Sequence, residues 1–232
     1  MIRGYPGGLP VCFHHVIRAV GHAPRSRARP PDPTVPAETM PTDRTDLSRR
    51  LAECQDSDTS RGLNFNRLFD LVREHAGEEA ARACDPTGKG SRVDFFSYPV
   101  ADYLRIAWNA ADRLEPKLGS VEAVFEELGR STVTGFLSSV LGRTIYAMAG
   151  RDPRRFVSAG PSGYRSAVSY GERTVHWRGE KAARMVFRRD FMPPAFHRAV
   201  ILAALGASDA QSAKVESRAT GLLDSEYEIT WE

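Results

Sequence analysis

Apolar positions fall at helical spacing through the first half of the chain and alternate in the second. Leu63, Phe65, Leu68, Phe69, Leu71 and Val72 define one helical stripe, which Gly77 ends. Residues 78–84 add a short helix, and 85–91 (DPTGKGS) read as a loop. Tyr98-Pro99 opens the next helix, with Pro99 suited to a first turn and Val100, Tyr103, Leu104, Ala107, Trp108 and Ala111 on its apolar side. That helix runs to about Leu114. From Ser120 to Ala149 the pattern is nearly unbroken through Val121, Val124, Phe125, Leu128, Thr132, Phe136, Val140, Leu141, Ile145 and Met148. Ser120 is suited to an N-cap and Gly150 to the position just past the end. A straight helix of that length would span about 45 Å, so a break is expected near Ser138-Ser139. Asp152-Pro153 caps a last short helix ending around Ala159.

After a loop at 160–163 the period changes to two. Residues 173–178 and 182–188 are expected as strands of a hairpin, and Pro193-Pro194 starts a helix through Leu205. Residues 214–220 and 225–231 make a second hairpin around Gly221. In its last strand Tyr227, Ile229 and Trp231 alternate with Glu226, Glu228 and Thr230, the pattern of a strand with one wet face. The expected class is α+β: a helical half packed on a small antiparallel sheet built as hairpin–helix–hairpin.

The first sixty residues read differently. Eight of the fifteen prolines lie at or before Pro41, and residues 23–38 are too rich in Pro and Arg to fold. Residues 1–60 are therefore expected as a disordered or non-native lead-in, with Met40 one candidate start and a short helix conceivable at 47–54. Residues 61–232 form the single domain, long enough to bury about 70% of its extended surface. Charge divides the same way. Residues 1–39 hold five arginines against Asp32 and Glu38, which accounts for the whole net +3. The remainder balances 27 cationic with 27 anionic groups, so no basic footprint for nucleic acid is expected, and Arg188-Arg189 reads as a solvated face. Only Cys84 of the three cysteines belongs to the domain, no CxxC occurs, and no apolar run reaches the roughly 18 residues of a membrane span. A reducing compartment, hence a cytoplasmic location, is the expectation.

Several segments carry a resemblance. Residues 98–105 (YPVADYLR), Leu128-Gly-Arg130 with Gly135-Phe136, Leu141-Gly-Arg143, Phe156 to Tyr164-Arg165, Tyr170-Gly-Glu-Arg173 and the ending EYEITW resemble an uncharacterised paralogous family found in myxobacteria. The resemblance spans most of 62–231 and implies a fold without an activity. The layout also resembles the ligand-binding fold shared by haem-nitric-oxide-binding domains, 4-vinyl-reductase-type sensors and transport-particle subunits, whose members bind small molecules or lipids or act as assembly surfaces. Its haem-binding branch uses a Tyr-x-Ser-x-Arg element and an axial histidine on a preceding helix. Here 164–168 read YRSAV, with Val168 at the arginine position, and no histidine lies between His75 and His176. No cofactor, haem included, is expected, and His75, His176 and His197 read as helix-end, strand and helix-surface residues.

No catalytic signature stands out. In PTGKGS Lys89 precedes Gly90 rather than Ser or Thr, and in Gly160-Pro-Ser-Gly163 Tyr164 occupies the second glycine of a nucleophile elbow. One constellation remains: Tyr98, Tyr103, Trp108, Arg143, Tyr146, Tyr164, Arg165 and Tyr170. These either line a pocket for an anionic or planar ligand or fill the core with their aromatic bodies while polar tips reach its edge. The expected function is a non-catalytic small-molecule-binding or sensory module. The alternative is an assembly subunit that uses an exposed sheet edge or helix face, a homodimer being one form of it.

Overall fold

The computed structural model describes residues 44–232, apart from the side chains of Leu141, Ile145, Met148 and Ala149. The expectations for residues 1–43, a start at Met40 among them, lie outside the described residues. Helices come first: α1 (Arg44–Ala52), α2 (Gly62–Ala83), α3 (Val100–Leu118), α4 (Val121–Ser138), α5 (Val140–Ala149) and α6 (Pro153–Ala167). The short strands β1 (Thr59–Arg61) and β2 (Ser97–Pro99) pair antiparallel across α2. Then follow β3 (Glu172–Trp177), β4 (Ala182–Arg188), α7 (Pro194–Gly206), β5 (Lys214–Ala219) and β6 (Ser225–Thr230). These four strands form one antiparallel sheet in the order β3-β4-β6-β5, the expected hairpin–helix–hairpin.

The local signals act where the sequence places them. Gly77 at φ 86° kinks α2, and Ser120 Oγ caps α4 by accepting from Ala123 N. The long apolar stripe breaks at Ser139, whose hydroxyl accepts from Gly142 N and so starts α5 as a separate helix.

Two cores result. Helices α1 to α4 enclose the first, which includes Phe65, Leu68, Trp108 and Phe125. The second lies between the sheet and the helices α6 and α7, built from Val157, Phe187, Ile201, Leu205, Tyr227, Ile229 and Trp231. The other face of the sheet is wet and carries cross-strand ion pairs, Arg184 to Glu228 at 2.5 Å and Arg218 to Glu226 at 2.7 Å. Helices α4 and α7 join the two cores at very close range. A Cβ on Gly129 would lie 2.3 Å from the Phe196 carbonyl oxygen, a backbone atom that cannot swing away. Gly129→Val should therefore force the helices apart and cost about 1–3 kcal/mol. Equilibrium urea unfolding reads that cost, and an unchanged midpoint would refute the close packing.

Two expectations need correction. The packed body begins before residue 60. Leu47 of α1 enters the helical core, and Arg50 is buried, bonded to Asp46 at 2.8 Å and to the Phe191 carbonyl at 3.3 Å. The segment looks too polar to pack because the pattern of single residues cannot show that Asp46 and Arg50 neutralise each other across one helical turn. Downstream, Asp58 receives both terminal nitrogens of Arg189 at 2.7 Å, and this bonding holds its carboxyl below the usual range against the opposing effect of burial. Arg189 is thus a clamp rather than part of a solvated face. The second correction concerns 160–163, which continue α6 instead of forming a loop. Val157, Gly160 and Tyr164 face the sheet at spacings of three and four residues, and this burial outweighs the poor helix propensity of Gly and Pro161.

Candidate functional site

Helix α6 carries Tyr164 to the seam between the two cores, where four polar side chains meet in an otherwise apolar setting. The β4–α7 connection supplies Asp190, β3 supplies Arg173, and the first turn of α7 supplies His197. Asp190 is the hub. Its Oδ2 accepts from Arg173 Nη2, and its Oδ1 accepts from His197 Nε2 at 2.7 Å and from Met192 N at 3.0 Å. Nε2 donates to the carboxylate, and Nδ1 pairs with the Tyr164 hydroxyl. Arg173 also donates to the Tyr170 carbonyl, and its guanidinium lies over the rings of Tyr164 and Tyr170, 4.8 and 5.5 Å from their centroids. Phe187 packs edge-on against both Tyr164 and His197.

The electrostatics follow from burial and pairing. Burial works to raise the Asp190 pKa, but the charges of His197 and Arg173 and the bonds from His197 and Met192 N outweigh it. The carboxyl is held well below the usual carboxylate range. Burial first, and the Asp190 charge second, push the Tyr164 and Tyr170 hydroxyls far above the ordinary tyrosine value. The order Tyr–His–Asp has the form of a proton relay. Its carboxylate and both histidine nitrogens are nevertheless committed to one another, and Asp190, Arg173 and His197 are buried.

A cleft of about 360 Å³ opens beside this seam, between α1, the 190–195 connection, the first turn of α7 and the β5–β6 hairpin. Asp190 and Arg50 line it together with Met192, Ala195, Val215 and Leu223, and Glu122 and Arg198 also border it. Charged residues of its lining have ion-pair partners: Asp190 with Arg173, Arg198 with Glu122 and Asp224 with Arg188.

The residues singled out from the sequence fall into separate groups. Tyr98 and Tyr103 pack edge-on against Phe65, with Arg92 over the Phe65 and Tyr98 rings. Trp108 packs on Phe125 near Arg50. Tyr146 of α5 meets Phe156 of α6, while Arg143 is exposed and bonds the Ser138 carbonyl. Tyr164 and Tyr170 are brought together by Arg173. Arg165, expected in a loop, lies on α6 facing solvent. His197 is the clear correction: it is buried at the centre of the network rather than on a helix surface. The sequence pattern does not single out Asp190 and Arg173, and it reads His197 as a surface residue, because each belongs to a different element. A histidine on the apolar side of α7 was the one signal available.

A mainly helical half followed by hairpin–helix–hairpin is the class of fold seen in H-NOX domains. The H-NOX protein from K. algicida superposes with a TM-score of 0.62 at 13% identity, over 74% of this chain and 96% of that one. The S. oneidensis H-NOX protein gives 0.60 at 14% identity, over 74% and 96%. An oxygen-binding H-NOX domain related to soluble guanylate cyclases gives 0.57 at 12%, over 74% and 95%. At such identities the likeness is one of fold. The chain itself belongs to the DUF2378 family, described as proteins of unknown function, whose sequence profile matches residues 54–232. No curated protein matches it. Among the described residues no helix is long and apolar enough to cross a membrane, and no cluster of metal-ligating side chains occurs.

Haem is the group such a fold brings to mind, and the donor set here does not suit it. The Tyr164 hydroxyl is taken by His197, and the Ser166 hydroxyl donates to the Gly163 carbonyl at 2.6 Å. Val168 ends α6 and bridges to Ser60, where a propionate-binding arginine would be needed. Both nitrogens of His197 are engaged, and His176 is exposed on β3 beside Thr174.

Proposed function

We propose that this chain is a non-catalytic binding module of the sensory type that takes a small molecule in the cleft beside Asp190 and does not use haem. The observation that carries this reading is the cleft itself. It has the volume of a small ligand site and a mixed polar and apolar lining, with two buried charged side chains, Arg50 and Asp190, among its walls. Asp190 also ties the cleft to Tyr164 and His197, so occupancy at one side of the hub is felt by α6 and α7. Catalysis is not part of the reading, because the one constellation resembling a relay is sealed and its tyrosine is held protonated.

Native mass spectrometry of the purified protein tests the proposal. The expected result is a small-molecule adduct on the wild type that is absent from Ala219→Trp. Ala219 is a half-buried residue of the edge strand β5 that lines the cleft, so an indole there takes up cleft volume. No adduct on the wild type, together with no ligand-dependent rise in Tm for wild type over Ala219→Trp across a metabolite panel, would overturn it.

A further inference from the structure

Residues 91–97, which run from the connection after α2 into the first residue of β2, place apolar side chains in water. Phe95 is 82% exposed, Phe96 63% and Val93 53%. Exposure of this kind ordinarily goes with a loose loop, but this backbone is pinned at nearly every residue. Asn66 donates to the Arg92 carbonyl and to Asp94 Oδ1, both at 2.7 Å, and its own oxygen accepts from Arg92 N at 2.8 Å. The Tyr98 hydroxyl accepts from Val93 N, and Phe96 N closes a turn onto the Val93 carbonyl. The first amides of α2 donate to the loop, Gly62 N to Phe96 O at 2.9 Å and Leu63 N to Asp94 O at 3.1 Å. Gly62 is required at this approach, since a Cβ there would lie 2.1 Å from the Val93 carbonyl oxygen. A rigid loop that displays two phenylalanines and a valine has already met the ordering cost of a contact and leaves a hydrophobic gain unrealised.

The charges around the loop say what fits it. Arg61 donates to the Phe95 carbonyl at 2.6 Å, Ser97 Oγ at 3.2 Å and the Ser166 carbonyl at 3.3 Å, all of them neutral. Asp94 accepts at its carboxylate from Asn66, also neutral. One guanidinium and one carboxylate thus flank the aromatic pair without a countercharge among the described residues. A membrane or a purely acidic partner would satisfy Arg61 and strand Asp94. A second copy turned about a two-fold axis satisfies both, since in such a contact residue i meets j and j meets i. We propose that loop 91–97 is the centre of a two-fold homodimer contact, in which Phe95 and Phe96 of two copies pack together and Arg61 of each faces Asp94 of the other. The loop is smaller than the roughly 800 Å² per partner of a standard interface, so the dimer is weak and concentration-dependent.

Sedimentation velocity over a wide concentration range tests this on the full chain. The wild type should move from one chain toward two as concentration rises. Phe95→Ser combined with Phe96→Ser should remain a single chain with an unchanged melt, because both side chains are already in water. Asp94→Asn should weaken the dimer about fivefold, the size expected for two exposed ion pairs, and should lessen its sensitivity to salt. A wild type that stays monomeric overturns the proposal, as does a dimer that survives the double serine variant or is equally tight in Asp94→Asn. Monomeric protein that instead sediments with phosphatidylglycerol-containing vesicles in a Phe95-dependent way overturns the second copy and assigns the loop to a lipid surface.

Discussion

Asp190→Asn should cost the folded state about 3–5 kcal/mol, the range for removing one partner of a buried charge pair. The loss has a definite origin. Arg173 would keep its charge with no carboxylate in reach, at a site where its side chain is 2% exposed. An amide nitrogen facing His197 Nε2 would also place two donors against each other. The pH dependence follows from the depressed pKa of Asp190. A carboxylate with a folded-state pKa below its unfolded value, about 3.9, contributes stability that is complete above that value and declines as the pH falls toward the folded one. Wild-type stability should therefore drop between about pH 5 and the acid limit more steeply than that of the Asn variant, the two curves converging at low pH. Urea melts from pH 2 to pH 8 show it. Parallel curves would mean that Asp190 is not the ionised hub of the seam.

The second large effect lies at the end of the chain. Trp231 follows β6, its amide donates to the Lys181 carbonyl at 3.2 Å, and its indole packs edge-on against Trp177 with ring centres 6.2 Å apart. With Tyr227 and Ile229 it forms the buried face that closes the second core against α6 and α7. Trp231→Ala should cost about 3–5 kcal/mol, as deletion of a large buried aromatic does. A cost under about 0.5 kcal/mol, typical of a surface change, would contradict that packing. Comparison with Asp190→Asn is useful because the two act on opposite ends of the same core. Deleting Trp231 removes contact area and should carry little pH dependence of its own.

What was legible in the sequence shares one physical property: it depends on near neighbours along the chain. The break at Ser139, the kink at Gly77, the cap at Ser120 and both hairpins of the sheet follow from side chains that bond or strain their own backbone within a few residues. Alternation in 225–231 sets the buried face of β6 for the same reason, since a strand's side chains change sides at every residue. The class of fold and the core residues come from these local rules alone.

Tertiary structure decided everything that joins distant positions. Thr59 to Arg61 and Ser97 to Pro99 are strands only because they face each other, and neither shows a strand pattern alone. Helix α6 runs through Gly160 and Pro161 because the sheet offers Tyr164 a place to be buried. Residues 44–58 are ordered because Asp46 with Arg50, and Asp58 with Arg189, neutralise charges that would otherwise keep the segment in water. The polar seam is the extreme case. Tyr164, Arg173, Asp190 and His197 come from four different elements, and each alone looks like an ordinary surface residue. Burying any one of them unpaired would be costly, and together they satisfy one another. That mutual satisfaction is a property of the folded geometry, and no pattern along the chain encodes it.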